Sequence, residues 1–328
     1  MKRCSVIIFT LFVVCAGAAK AGWTWTEILS ENFNSDPSAN WSYSGRQNGA
    51  SQDLIRWNAA GRIDAEWDQA NNLDLTGDPY IIEPSRYSRS LGQTLTDTQT
   101  FKFGATLNVT SVSDTENFWQ VANFGLYNLT HMGNDRAMTD NWSGNSTIIK
   151  DGSDFVEWNY FINNGAFGGA WNPMTQPTIG AHITGDSGDY TVGDSGDVYW
   201  HNTDMGEDNY LPTGVSLYVE VTYWGSATDG DRRRAYSAVY TDADRTTLLS
   251  VNGVEQYYWT VAVDDAKSFS LTDASFWNYV DMDWGSGYSS GSGFFDDFYV
   301  ATGTPEPATA GLLALGSLGL LKSRRRRT

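Results

Sequence analysis

An all-β chain folded as an antiparallel β-sandwich is what this 328-residue sequence predicts, and three observations lead there. Around 216–224 apolar and polar residues alternate, so Leu217, Val219, Val221 and Tyr223 share one face of an extended strand. Such a period of two fits a sheet with one dry face. Aromatic residues make up 14% of the chain, with 14 tryptophans, and 33 glycines supply turns. Aromatic side chains favour pleated, half-buried surfaces. Long helical patterns are missing between the two termini, which leaves a loop-rich sandwich as the expected class.

Each element follows from the same reading. Residues 28–33 open the body as a strand. Residues 55–58 and 62–68 form a hairpin turned by Ala59-Ala60-Gly61. Residues 101–109 alternate cleanly; 119–127 and 155–162 read as more buried strands. From 165 to 212 the chain reads as loop. Within it Gly185-Asp186-Ser187-Gly188-Asp189 returns as Gly193-Asp194-Ser195-Gly196-Asp197. Two copies are too few for a solenoid, so an acidic hairpin or loop pair is expected. The 216–224 strand turns at Thr228-Asp229-Gly230-Asp231 and returns over 234–241. Residues 269–271 and 276–280 follow as strands, then a glycine and serine loop, 285–293. The last strand is 293–300, and Thr302-Gly303-Thr304 reads as a linker.

The two ends differ from the body. Lys2 and Arg3 precede an apolar run from 5 to 19, and Ala19-Lys20-Ala21 places small residues at −3 and −1 of a cut before Gly22. This is the grammar of a secretory signal helix, residues 1–21, removed by signal peptidase. The run is too short to span comfortably a hydrocarbon core of about 30 Å. Cys15 follows Val14 rather than a small residue, which disfavours lipidation. At the other end Pro305-Glu306-Pro307 precedes an apolar stretch, Ala310 to Leu321. Lys322 and the run Arg324, Arg325, Arg326 and Arg327 then close the chain. A hydrophobic helix with a basic stop leaves the body on the far side of the membrane. The 302–328 region is therefore expected to carry a short transmembrane helix, and 22–301 to be the sandwich domain.

Without both ends, 13 basic and 38 acidic residues remain, a net charge of −25. Nucleic acid is excluded as a partner, because binding it needs clustered Lys and Arg. Both cysteines, Cys4 and Cys15, lie in the signal. Disulfides therefore do not staple the body, and its stability must come from its core.

The Pro-Glu-Pro tripeptide, the apolar segment and the terminal arginines closely resemble the PEP-CTERM sorting signal. The resemblance implies an exosortase as processing partner, with cleavage near the tripeptide. It also implies a Gram-negative bacterium that makes exopolysaccharide, and a destination in the envelope, outer surface or extracellular matrix. The body resembles concanavalin A-like, or laminin G-like, jelly-roll sandwiches. Glu31-Asn32-Phe33-Asn34, the 217–224 strand with its returning hairpin, and Phe295-Asp296-Asp297-Phe298-Tyr299-Val300 carry that resemblance. Jelly-roll carbohydrate modules are similar at both ends, and there a first-strand Glu and a last-strand Asp hold one structural calcium. The likeness implies Glu31 and Asp297 for that role.

Catalytic constellations are thin. Laminarinase-type glucanases use Glu-x-Asp-x-x-Glu; here Glu66-Trp67-Asp68 is followed by Asn71, so one acid of three is missing. His131, His182 and His201 lack zinc-type spacing and any Gly-x-Ser-x-Gly context. Ca2+ is the expected cofactor, because hard cations take six to eight oxygens. Besides Glu31 and Asp297, its candidate ligands are Asp186, Asp189, Asp194 and Asp197. Tryptophans near polar loops, Trp142, Trp171 and Trp200, are candidate carbohydrate platforms. Together these point to a non-catalytic, exported protein that binds carbohydrate or an exopolysaccharide matrix. A secreted glycoside hydrolase or polysaccharide lyase, and a purely structural surface protein, are the alternatives.

Overall fold

A computed structural model of the chain describes residues 22–44, 55–68, 85–113, 119–129, 138–139, 148–149, 154–162, 174–183, 198–199, 210–225, 231–278 and 290–305. The chain divides into two compact units, Thr26–Thr302 and Met1–Trp25 with Gly303–Thr328. Among the described residues no helix is long and apolar enough to cross a membrane. The expected signal helix and the apolar part of the tag lie outside the described residues.

Strands carry the fold. In chain order they begin with β1 (Trp23–Glu31), β2 (Ser42–Ser44), β3 (Ile55–Asn58), β4 (Arg62–Asp68) and β5 (Ser85–Thr96). Next come β6 (Thr100–Ser113), β7 (Trp119–Tyr127), β8 (Met138–Thr139), β9 (Ile148–Ile149) and β10 (Phe155–Ile162). Then follow β11 (Met174–Gly180), β12 (His182–Ile183), β13 (Val198–Tyr199), β14 (Leu217–Trp224) and β15 (Ala235–Tyr240). The last are β16 (Ser250–Val251), β17 (Val254–Glu255), β18 (Tyr257–Trp259), β19 (Lys267–Ser268), β20 (Ser270–Asn278) and β21 (Ser290–Pro305).

Two large sheets hold most of them. The eight-stranded sheet runs β18-β15-β14-β6-β21-β4-β3, with β1 also paired to β21. The seven-stranded sheet runs β13-β11-β10-β7-β20-β5-β2. The pairings β14–β6, β14–β15, β10–β7 and β20–β5 are all antiparallel. The β14 strand alternates buried and half-buried at every position, as its sequence predicts. The hairpin of β3 and β4 turns at 59–61, and Gly61 supplies the positive φ of 82° there.

The inner faces of the two sheets share one apolar core. Phe101, Phe103, Ala105, Leu107 and Val109 of β6 are fully buried in it. Aromatic rings bridge the sheets: Phe103 meets Phe124 at 6.0 Å and Phe276 meets Phe295 at 4.7 Å between centroids. Trp41 stacks on Tyr87 at 5.6 Å and 4° and meets Phe298 edge-on at 5.9 Å. Such pairs add about 0.5–1.5 kcal/mol each beyond their burial.

Several elements differ from the sequence reading. The opening strand starts five residues early, at Trp23. The closing strand runs through to Pro305, so the expected linker at 302–304 is strand, paired with β1. The two short strands expected at 269–280 are one, β20. The expected loop after 165 contains β11, β12 and β13, and β5 was not anticipated at all. Of these, β5, β11 and β13 belong to the seven-stranded sheet, while β12 pairs with β19 in a separate two-stranded one.

Candidate functional site

That outer face is where the polar chemistry gathers. In β10, Val156, Trp158 and Tyr160 join the core, so Phe155, Glu157 and Asn159 point the other way. Register places Glu157 opposite Gly125 and Thr178, and Asn159 opposite Asn123 and Gln176. Gly125 makes the room: a Cβ there would lie 2.6 Å from Glu157 Cα and 2.7 Å from Glu157 Cβ. Asn123, Glu157, Asn159 and Gln176 are each only 1% exposed.

A hydrogen-bond network fixes the carboxylate. Asn123 Nδ2 donates to Glu157 Oε2 at 3.1 Å, and Asn159 Nδ2 donates to Oε1 at 3.2 Å. Asn159 Nδ2 also donates to Thr178 Oγ1 at 3.0 Å. The Tyr127 hydroxyl lies 2.7 Å from Asn123 Oδ1 and 2.9 Å from Glu157 Oε2, and its single proton serves one at a time. Tyr127, Phe155 and Trp277 form a separate apolar cluster beside it. The Arg86 guanidinium lies over the Trp277 ring at 5.4 Å, and burial lowers its pKa against the opposing pull of Asp273.

One part of this face is not satisfied. Among the described residues, Gln176 Nε2, Gln176 Oε1, Asn159 Oδ1 and Trp277 Nε1 are buried with no hydrogen-bond partner. Gln176 and Asn159 are cross-strand neighbours, so three of these atoms belong to one spot. Each orphaned group costs about 1–3 kcal/mol, and native chains keep few of them. The arrangement sets amide donors and acceptors without partners among the described residues beside a fixed carboxylate and buried aromatic rings.

The outer face of the eight-stranded sheet carries a second candidate, a groove of about 550 Å³ whose lining includes Glu31, Lys102, Glu220, Arg245, Asp297 and Tyr299. The structure thus brings together Glu31 and Asp297, which sequence paired from opposite ends of the domain. Lys102 Nζ lies 3.0 Å from Glu220 Oε2, and the Tyr299 hydroxyl donates to the same oxygen. Burial, and next the Glu220 carboxylate, push the Tyr299 phenol far up. The Arg245 guanidinium sits 4.8 Å over the Tyr299 ring. It is presented by a loop that Asp242 ties down, accepting from the Thr246 and Thr247 amides at 3.0 and 2.7 Å. Those bonds lower the Asp242 pKa. Arg245 itself has φ 54°.

Glu31 Oε2 is paired with Arg89 Nη1 at 3.2 Å, and Oε1 accepts from the Phe33 amide at 3.3 Å. Asp297 has φ 49° and accepts from Thr106 Oγ1 at 3.5 Å. Its backbone lets Phe295 and Phe298, three residues apart, both reach the core. The extra residue there is a bulge-like device. Next to it, burial pushes the Asp296 carboxyl up to about 6. Arg89 is the cation that Glu31 meets, and among the described residues no three His, Cys, Asp or Glu side chains group closely enough to hold a metal ion.

Other sequence candidates fall elsewhere. Glu66 makes an exposed ion pair with Arg56 at 3.1 Å. Asp186, Asp189, Asp194, Asp197, Trp142, Trp171 and Trp200 lie outside the described residues, as do Glu306, Pro307 and the four terminal arginines, while Pro305 ends β21. Sequence reasoning missed Asn123, Glu157, Asn159 and Gln176. Their signal was present: polar residues at every second position within strands otherwise rich in aromatics, Glu157-Trp158-Asn159-Tyr160 above all.

Comparison with known proteins adds two findings. Residues 304–327 match the family model described as the PEP-CTERM protein-sorting motif, so the chain carries a signal for export and envelope sorting. No curated protein sequence matches the chain. Among solved structures, the chain is similar to lectin UEA-II complexed with galactose, at 10% identity and TM-score 0.41 over 84% of this chain and 99% of that one. It is also similar to a seed lectin of Lotus tetragonolobus, at 11% identity and TM-score 0.40 over 85% and 98%. Arcelin-5, a lectin-like defense protein from Phaseolus vulgaris, is similar at 9% identity and TM-score 0.40 over 85% and 98%.

Proposed function

We propose that this chain is an exported, envelope-sorted carbohydrate-binding protein. Its ligand is held on the outer face of the seven-stranded sheet. The observation that carries the reading is the buried set formed by Glu157, Asn159 and Gln176, with Gln176 lacking any hydrogen-bond partner among the described residues. Sugars present dense hydroxyl groups that both donate and accept, and side-chain amides answer both roles. A carboxylate fixed by three donors accepts hydroxyl protons without having to reorder.

An acidic body of this kind selects neutral glycans, because an anionic polymer would be repelled. Ligands held by amides in this way need no cation, which separates this site from the calcium expected at the domain ends. The test is a glycan panel probed with the full-length chain in mild detergent, with and without EDTA. Neutral oligosaccharide binding that survives EDTA is the expected result. Turnover of a glycan would move the assignment to a glycoside hydrolase or polysaccharide lyase. Silence across the panel at millimolar ligand, with the chain folded, would make it a structural surface protein.

A further inference from the structure

Trp23 and Trp25 begin β1, and the alternation of the strand puts both rings on one side. They stack at 6.3 Å between centroids and 30° between planes. Both are half-buried. What lies against them is the bare backbone of Gly303, where a Cβ would meet Trp25 Cζ3 at 2.9 Å and Trp23 Cε3 at 3.0 Å. Thr304 Oγ1 donates to the Thr24 carbonyl at 3.5 Å. These residues belong to the same compact unit as the sorting motif. None of Trp23, Thr24, Trp25, Gly303, Thr304 or Pro305 carries a charge.

Distance then limits where this pair can be. Four residues separate Gly303 from Ala308, just ahead of the apolar stretch, and the five Cα steps reach at most about 18 Å. Residues 308–321 would make a helix of about 21 Å. A hydrocarbon core is about 30 Å thick. An apolar segment this short draws its flanks toward the bilayer or thins it. Tryptophan, apolar in body and polar at its N–H, is the residue that settles at such an interface.

We propose that Trp23 and Trp25 form an interfacial platform that seats the tag-proximal end of the chain in the lipid headgroup layer while the tag is in the membrane. This goes beyond glycan binding and rests on insertion of the sorting tag. A stacked pair on one strand is more rigid than two separate anchors, and pairing with β21 ties it to the chain that enters the bilayer.

The experiment uses the chain from Gly22 to Thr328, without the signal run, reconstituted into phosphatidylcholine vesicles, with lipids brominated either near the headgroup or deep in the acyl chains. Flotation first reports insertion. The expected result is quenching by the shallow bromines of a share of fluorescence worth two of the 14 tryptophans. The double variant W23F/W25F, which keeps apolar rings and should keep the fold by circular dichroism, should float equally and lose that share. Equal shallow quenching in variant and parent, or none in a floating parent, would overturn the platform. A parent chain that fails to float would instead overturn insertion of the tag, and the platform with it.

Discussion

On the outer face of the eight-stranded sheet, Glu220 accepts from Lys102 and Tyr299, and Arg245 covers the Tyr299 ring, while Glu31 of the same groove accepts from Arg89 of the other sheet. On the outer face of the seven-stranded sheet, Glu157 is just as well held, yet Gln176 beside it meets nothing among the described residues. On the first face Glu220 and Glu31 each meet a cation. Its groove is a set of mutual contacts, and those contacts serve the fold. Among the described residues, the second face leaves part of its polarity unspent in a buried place. The difference teaches that polarity alone does not mark a site; polarity that the fold leaves unanswered does.

The comparison can be broken at Glu157 first. Replacing it with Ala leaves an N–H of Asn123 and one of Asn159 without their acceptor in a dry place, so Glu157→Ala should cost about 3 kcal/mol of stability. Urea unfolding measures that loss, and glycan binding should vanish with it. On the other face, Glu220→Gln should cost about 1–2 kcal/mol, since the Lys102 pair is half-buried rather than exposed. Glycan affinity should stay unchanged there. A shared loss of binding would mean that the two faces are not separable.

Asp296 gives the smallest effect, on pH dependence. Burial raises its carboxyl to about 6 in the fold, above the ordinary value near 4 of an unfolded chain. Between those values the native state holds the extra proton, so stability contributed here falls as pH rises from about 4 to about 6. Asp296→Asn removes that slope. At pH 7 the variant should be more stable, by about 1 kcal/mol or less once solvent screening is allowed for. Thermal unfolding of both proteins from pH 4 to pH 8 checks this.

How much of this was legible in the sequence depends on which face a strand turns to water. The strands β6, β7, β10 and β14 were readable because apolar residues alternate with polar ones, half-buried in β14 and buried in β7 and β10. The β5 strand, Ser-Arg-Tyr-Ser-Arg-Ser-Leu at its start, was not. Tyr87 and Leu91 reach the core, but Arg89 shares their side as the partner of Glu31, and Ser88 and Arg86 fill the other. The β11 strand was hidden by Pro177, a residue that argues against a strand. The sorting motif was legible because it is local, an ordered string of residues at one end. Glu31 and Asp297 were named together only through a family resemblance, and Arg89, the partner of Glu31, was invisible in the sequence. Glu157 and Gln176 were passed over for a different reason. Polar residues on the outward side of a strand read as solvent-facing, and only packing reveals that these are buried.

Gln176→Leu tests the account most directly, with stability and affinity measured on the same preparation. If Gln176 is kept for a ligand, removing its unanswered amide should raise unfolding stability by about 1 kcal/mol and weaken neutral glycan binding at least about tenfold. A variant that loses stability while binding glycans as tightly as the parent would contradict the account.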